Sequence, residues 1–300
     1  MITRLKRIFS ANQRSAQQQT VRAAQTSLSA EQPVVAAASE DVAAINDVTL
    51  QDANLSGWFL ENGELFTDFQ IQPEDHVLDV GCGDGGLIGF CAGRGAEVTF
   101  VDIDEQKVKD TESRLQGSAA SGIHGLVSDA NPLPLPDNHV NKVICTEVLE
   151  HVDDPVNFLA ELVRVGKPGA LYLLSVPDIA SETVQQTVAP PLYFEKPHHI
   201  RILSREDFPR LVSDAGLIIE KQTCYGFFWS MFWAFFWTCD QDLSDPWHPL
   251  LQQWGRTWET LLSMRDGPRI KQALDQALPK SQVIIARKPS AAHRQPHSES

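Results

Sequence analysis

The chain has little that could cross-link it, carry it through a membrane or hold it on a polyphosphate. Its 300 residues include five cysteines, Cys82, Cys91, Cys145, Cys224 and Cys239, with no Cys-x-x-Cys pair among them. An odd, scattered set excludes a disulfide frame and a cysteine zinc site, and it predicts reduced thiols in a cytoplasmic protein. Basic residues are in deficit, 25 Lys and Arg against 39 Asp and Glu, for a formal charge of −14. A nucleic-acid backbone needs a basic stripe, so nucleic acid is not the expected partner. The most apolar run, Phe227 to Trp237, falls well short of the roughly 20 residues of a membrane span. The first residues lack the continuous apolar core of a secretory signal.

What is present is an ordinary globular composition, 42% hydrophobic and 21% charged. Residues 1–41 are rich in Gln, Ala and Ser and read as a solvated, disordered tail, as do residues 290–300. Ile2, Leu5, Ile8 and Phe9 have helical spacing beside Arg4, Lys6 and Arg7, and a weak membrane-surface helix is the second reading of that segment. Residues 49–69 predict short helices. Then short apolar strands alternate with amphipathic helices. Strands are expected at 77–80, 97–101, 123–127, 142–145, 170–175, 217–225 and 282–286. Helices are expected near 86–94, 105–115, 156–165 and 205–215. Asp154 and Pro155 form a start signal for the third helix, and Ser204 with Asp207 a weaker one for the fourth. The alternation predicts an α/β fold: a doubly wound, mostly parallel sheet of seven strands, binding its ligand beyond the carboxyl ends of the strands.

The first expected strand runs into Asp79-Val-Gly81-Cys-Gly83-Asp-Gly85-Gly86. Such a glycine turn lets a ligand approach the backbone closely. Gly81, Gly83 and Gly86 satisfy G-x-G-x-x-G, and Asp102 follows at the distance of a ribose ligand, so a nicotinamide dinucleotide is one reading. Asp79 favours another. A carboxylate at the strand end facing the crevice repels a pyrophosphate and attracts an ammonium, as does Asp84. S-adenosylmethionine carries an ammonium and a sulfonium and no phosphate.

The set Asp79-x-Gly81-x-Gly83-x-Gly85 resembles motif I of the class I S-adenosylmethionine-dependent methyltransferases. The segments Val98–Asp104, Ser128-Asp129-Ala130, Pro132–Asp137 and Val143–Val152 resemble later elements of that family, in order. The resemblance implies a Rossmann-like methyltransferase fold with S-adenosylmethionine as cofactor. It implies that Asp79, Gly81, Cys82, Gly83 and Gly85 hold the methionine end and that Asp102 binds the ribose. Ile103 would lie against adenine, and Asp129 with Ala130 would hold the adenine amino group. A catalytically inactive methyltransferase-like binding module is the non-enzymatic alternative.

Glu147 and His151, in Thr146-Glu-Val-Leu-Glu-His151, are the candidate catalytic pair. Three readings stand: His151 is a general base; the cluster with His198-His199 binds a divalent cation, as in some members of the family; or Glu147 and His151 only hold the loop and cofactor. No metal ligand is assigned. The family's last two strands commonly lie close in sequence, whereas here residues 226–280 separate them. This stretch reads as a helical, aromatic-rich insert of about three helices, the methyltransferase domain being 42–225 with 281–289. Its aromatic residues are core, an apolar acceptor pocket, or a membrane or dimer patch. The expected acceptor is a small, apolar or lipid-like molecule, with peripheral membrane contact as an option. Oligomeric state is not readable.

Overall fold

The computed structural model describes residues 48–239 and 248–290. The expected tails lie outside these residues, apart from Ser290. Helical residues 48–55 (α1) lead into a small antiparallel hairpin, β1 (Glu64–Phe66) with β2 (Phe69–Gln70). The sequence predicts short helices throughout this stretch, and the hairpin is a correction. Trp58, Phe66 and Phe69 are wedged against the sheet core, and that packing overrides local propensity.

Seven strands then build one sheet. They are β3 (His76–Val80), β4 (Glu97–Asp102), β5 (Gly122–Val127), β6 (Val140–Thr146), β7 (Gly166–Pro177), β8 (Ile218–Tyr225) and β9 (Ser281–Arg287). Their order is β5-β4-β3-β6-β7-β9-β8, and only β9 runs antiparallel to its neighbours. The helices between them are α2 (Gly86–Gly93), α3 (Glu105–Leu115), α4 (Pro155–Val165), α5 (Ile179–Val188) and α6 (Asp207–Asp214). The doubly wound sheet therefore stands as the sequence predicts, except for α5, which its weak apolar period hides.

The start signals work physically. Asp154 accepts the N–H groups of Val156 (3.1 Å) and Asn157 (3.0 Å) at the head of α4. Ser204 Oγ accepts the Asp207 N–H (3.0 Å) and donates to the Asp207 carboxylate (2.7 Å) before α6. The central strand β3 is buried on both faces, as parallel strands covered by helices are. Leu78 and Val80 pack with α4 and α6, and Val77 packs with Ile88 and Cys91 of α2.

Between β8 and β9 lie α7 (Phe227–Thr238), α8 (Pro249–Ser263) and α9 (Gly267–Ala277). Phe228, Trp229, Phe232, Trp233 and Phe236 of α7 form a third core with Trp258 and Leu262 of α8. Fully burying such a side chain contributes roughly 1.5–3 kcal/mol, so the aromatic run is mostly packing. The entry and exit of this helical segment touch. Gly226 has a φ of +96°, a Cβ there would meet the Lys280 Cβ at 3.0 Å, and the Lys280 N–H donates to Tyr225 O (2.9 Å).

A histidine group sits at the opposite, amino end of the strands. His76 is buried on β3, its Nε2 2.9 Å from Thr99 Oγ1, its Nδ1 3.8 Å from Glu97 and its ring 4.7 Å from that of His139. Burial pushes its pKa below the usual 6.5; Glu97 opposes this, while His139, Lys167 and His124 add to it. An unfolded chain therefore binds the proton that the folded chain refuses. Stability is complete above about pH 6.5 and falls as pH drops through the lower folded value. The urea midpoint should decline between pH 7.5 and 5.5, and His76→Gln should shrink that decline. An identical decline in the variant would rule His76 out as its source.

Candidate active site

The carboxyl ends of β3, β4 and β6 open onto a cavity of about 660 Å³. Sterics and charge build its first end. The turn after β3 carries Gly81, Gly83 and Gly85 at φ of +73°, +57° and +73°, values that cost a residue with a Cβ. Asp102 closes β4 and ties that turn down. Its Oδ2 accepts the Gly83 N–H (2.9 Å), and its Oδ1 accepts the Asp104 N–H (3.0 Å). Asp102, Ile103, Asp129, Ala130 and Gly81 all line the cavity. Ile103 is 74% exposed, an apolar side chain held open beside two carboxylates. Ala130 has a φ of +61°, a strained value of the kind that clusters at binding sites.

Asp79, Cys82, Gly83 and Gly85 are not among the lining residues. Asp79 is 2% exposed, less open than its place at the strand end suggests. The two-residue period of a strand puts it on the Val77 side, where its charge helps burial raise the Cys91 thiol's pKa. Val80, on the other face, reaches the cavity instead.

The second end is built from β6, the segment 193–199, α7 and the residue before β9. Glu147 leaves β6 with a φ of +55°. Its N–H donates to Ser175 O (2.9 Å), Ser175 Oγ donates to its Oε1 (3.0 Å), and Lys280 Nζ donates to its Oε2 (3.1 Å). His151 lies with Nδ1 2.9 Å from His198 O and 3.1 Å from Pro197 O. Carbonyls only accept, so Nδ1 carries the proton and Nε2 is the basic nitrogen, 3.5 Å from Glu150 Oε1. His199 places Nδ1 3.0 Å from Glu182 Oε2, and Tyr193 Oη donates to the other Glu182 oxygen (3.2 Å). Burial opposes ionisation of Glu182, but His199, Lys280 and Tyr193 outweigh it and lower its pKa. Burial and the nearby Glu182 carboxylate push the Tyr193 phenol far up.

Glu150, His151 and His199 bring one ligand atom each within 4.8 Å of one another, the one such group among the described residues. Tyr193 and Trp233 complete the wall; Trp229 belongs to the third core and does not reach it. Seven carboxylates against two lysines line the whole cavity, which therefore fits a cationic ligand such as S-adenosylmethionine and opposes a pyrophosphate.

Sequence reading brings together Asp102, Ile103, Asp129, Ala130, Glu147 and His151. It misses Lys280, Glu182, Ser175 and Tyr193. No local motif marks these four; only the convergence of β7, α5, the segment 193–199 and the start of β9 does so.

Comparison with known proteins agrees with this geometry. A family model described as a methyltransferase domain matches residues 78–174. A ubiquinone biosynthesis O-methyltransferase from Thiobacillus denitrificans is 31% identical over 153 residues, covering 49% of this chain and 66% of the relative. Another so named, from Hahella chejuensis, is 38% identical over 100 residues, or 33% of this chain and 41% of the relative. The chain thus spans less than two thirds of the length of these curated relatives. Geranyl diphosphate methyltransferase, solved with S-adenosylmethionine, shares the fold at a TM-score of 0.56 and 14% identity, over 86% of this chain and 92% of the other. With the glycine turn, Asp102 and Asp129 beside the cavity and the sheet order β5-β4-β3-β6-β7-β9-β8 all in place, the chain belongs to the class I S-adenosylmethionine-dependent methyltransferase family.

Proposed function

We propose that the protein transfers the methyl group of S-adenosylmethionine to a hydroxyl of a small, largely apolar acceptor. The observation that carries this is one continuous cavity with two chemically different ends. The Asp102, Ile103, Asp129 and Ala130 end suits a nucleoside, and the His151, Tyr193 and Trp233 end suits an apolar ring or chain bearing a polar group. The naming of the curated relatives as O-methyltransferases supports oxygen as the acceptor atom. When bound, S-adenosylmethionine supplies a sulfonium methyl, and the C–S bonding pair leaves with the sulfur as the acceptor oxygen takes the carbon.

The chain's own residues do the rest. Asp102 and Asp129 hold the donor by charge-assisted hydrogen bonds, and Ile103 covers the adenine face. Asp79, Cys82, Gly83 and Gly85 act at one remove, by shaping the turn that offers Gly81. His151 takes the acceptor proton on Nε2, and Glu150 stabilises the resulting imidazolium. Glu147, held by the Ser175 hydroxyl and the Lys280 ammonium, fixes the wall as a positioning residue. Tyr193 and Trp233 exclude water and place the acceptor for in-line attack, which supplies much of the rate. We place the protein in the cytoplasm; no described helix is long and apolar enough to cross a membrane.

S-adenosylhomocysteine should raise the melting temperature and NAD should not. Labelled methyl from the donor should appear in members of a panel of catechols and prenylated phenols. His151→Ala should lower kcat roughly a hundredfold while S-adenosylhomocysteine affinity stays the same. Unchanged turnover would remove His151 from the reaction, and stabilisation by NAD alone would overturn the donor.

A further inference from the structure

We propose that Lys280 is the cationic anchor of the acceptor oxygen, so that this chain polarises its acceptor with a buried ammonium and not with a divalent metal ion. The proposal rests on the oxygen-methylation reading above. Lys280 stands between α9 and β9, is 4% exposed and lines the cavity. Its backbone is pinned on both sides: its N–H donates to Tyr225 O (2.9 Å), and its carbonyl accepts the Asp178 N–H (2.9 Å). The ammonium is therefore placed by the ends of β8 and β7, the same rigid sheet that carries the donor end.

An ammonium has three N–H donors. One goes to Glu147 Oε2 at 3.1 Å. The partner carboxylate is held at both oxygens, since the other one takes the Ser175 hydroxyl. Glu147 thus orients Lys280 and leaves the other donors of Nζ for an oxygen in the cavity. Burial pulls the lysine's pKa down, but Glu147, Glu182 and Glu150 outweigh it and hold the pKa above the usual value. A charge-assisted hydrogen bond from such a group favours the ionised form of a bound hydroxyl in the cavity that His151 also lines.

The same geometry works against a metal. The three ligand-type side chains that converge, Glu150, His151 and His199, share the cavity with an ammonium that the Glu150 charge helps to hold ionised. The further carboxylates nearby are already held, Glu182 by His199 Nδ1 (3.0 Å) and Tyr193 (3.2 Å) and Glu147 by Lys280 and Ser175. A divalent ion there would meet a positive charge in a region of low dielectric.

The probe is 4-nitrocatechol, whose ionised form absorbs at longer wavelength. It is added to the full chain with S-adenosylhomocysteine in EDTA. The wild type should bind it ionised, with an apparent pKa about one unit below that in buffer, a tenfold gain in the ionised form. Lys280→Arg should retain most of the shift, and Lys280→Met should lose it while keeping the stabilisation by S-adenosylhomocysteine. Magnesium should add nothing. If Lys280→Met does not fold, Lys280→Gln takes its place, and the wild-type spectrum in EDTA against magnesium still separates lysine from metal. An unchanged spectrum in the neutral variants would overturn the proposal. So would an ionised probe that appears only with magnesium, or none on a wild type that S-adenosylhomocysteine stabilises. A wild type that S-adenosylhomocysteine fails to stabilise would instead overturn the donor reading.

Discussion

Lys271→Met should destabilise the protein by about 3–5 kcal/mol, the cost of leaving buried carboxylates without their cation. Lys271 is 1% exposed at the base of α9. Its Nζ donates to Asp275 and to Ser56 Oγ (2.8 Å), and it stands 3.4 Å from Asp52 Oδ1. Asp52 also accepts the Trp258 indole N–H (2.8 Å), and Asp275 accepts the N–H groups of Gly226 (3.0 Å) and Phe227 (2.8 Å) at the start of α7. One ammonium thus joins α1, α7, α8 and α9 to one another. Burial already raises the Asp52 pKa, with Lys271 as the main opposing influence. Without the lysine, two carboxylates face each other in a dry site. The loss is comparable to a large fraction of ordinary domain stability, about 5–15 kcal/mol. Urea unfolding followed by tryptophan fluorescence checks it, and adding Asp52→Asn to Lys271→Met should recover part of the loss because the two sites are coupled. A change below about 1 kcal/mol, the range of exposed ion pairs, would show that the cluster is not closed to water.

Asp102→Ala should weaken binding of S-adenosylhomocysteine by roughly a hundredfold or more. The carboxylate has two tasks. It accepts the Gly83 and Asp104 N–H groups, which sets the glycine turn, and it presents a negative edge to the cavity. Each charge-assisted hydrogen bond to a ribose hydroxyl is worth about 1.5–3 kcal/mol. Losing two such bonds, together with the shape of the turn, gives the stated effect. Asp102→Asn should fall between, because the amide oxygen can still accept one N–H but brings no charge. Titration calorimetry measures both, with circular dichroism to show that the sheet survives. An affinity within threefold of wild type would remove Asp102 from the donor site.

The strands of the sheet and the helices between them were readable because their patterns are local. Val77–Val80, Ile284–Ala286 and Leu171–Leu174 are short apolar runs bounded by turn residues, and Asp154-Pro155 and Ser204 announce the helices that follow. The donor end was readable for the same reason. The turn after β3 and Asp102 after β4 lie one strand–helix–strand unit apart, so proximity in sequence nearly guarantees proximity in space. The hairpin at 64–70 was not readable, because Phe66 and Phe69 take their direction from a sheet that the chain has not yet made. Helix α5 escaped for a related reason: its buried face is Ser181, Glu182 and Gln185, a polar stripe that only the histidine and aromatic partners above it explain.

Asp79 shows the limit most clearly. Its residue type and position suggest a carboxylate open to the ligand, but the strand's two-residue alternation buries it on the Val77 side while Val80 and Gly81 line the cavity. The acceptor end is wholly a product of the fold. Glu147, His151, Glu182, His199, Trp233 and Lys280 span 133 positions between the Glu147 and Lys280 that bond to each other. By itself the sequence determined the sheet, the glycine turn and the closeness of Asp102 to that turn, since each depends on neighbours along the chain. The tertiary structure alone decided which His151 nitrogen carries the proton, which lysine is buried against Glu147 and which aromatic rings line the cavity. Those outcomes depend on distances between distant segments, and no local pattern carries them.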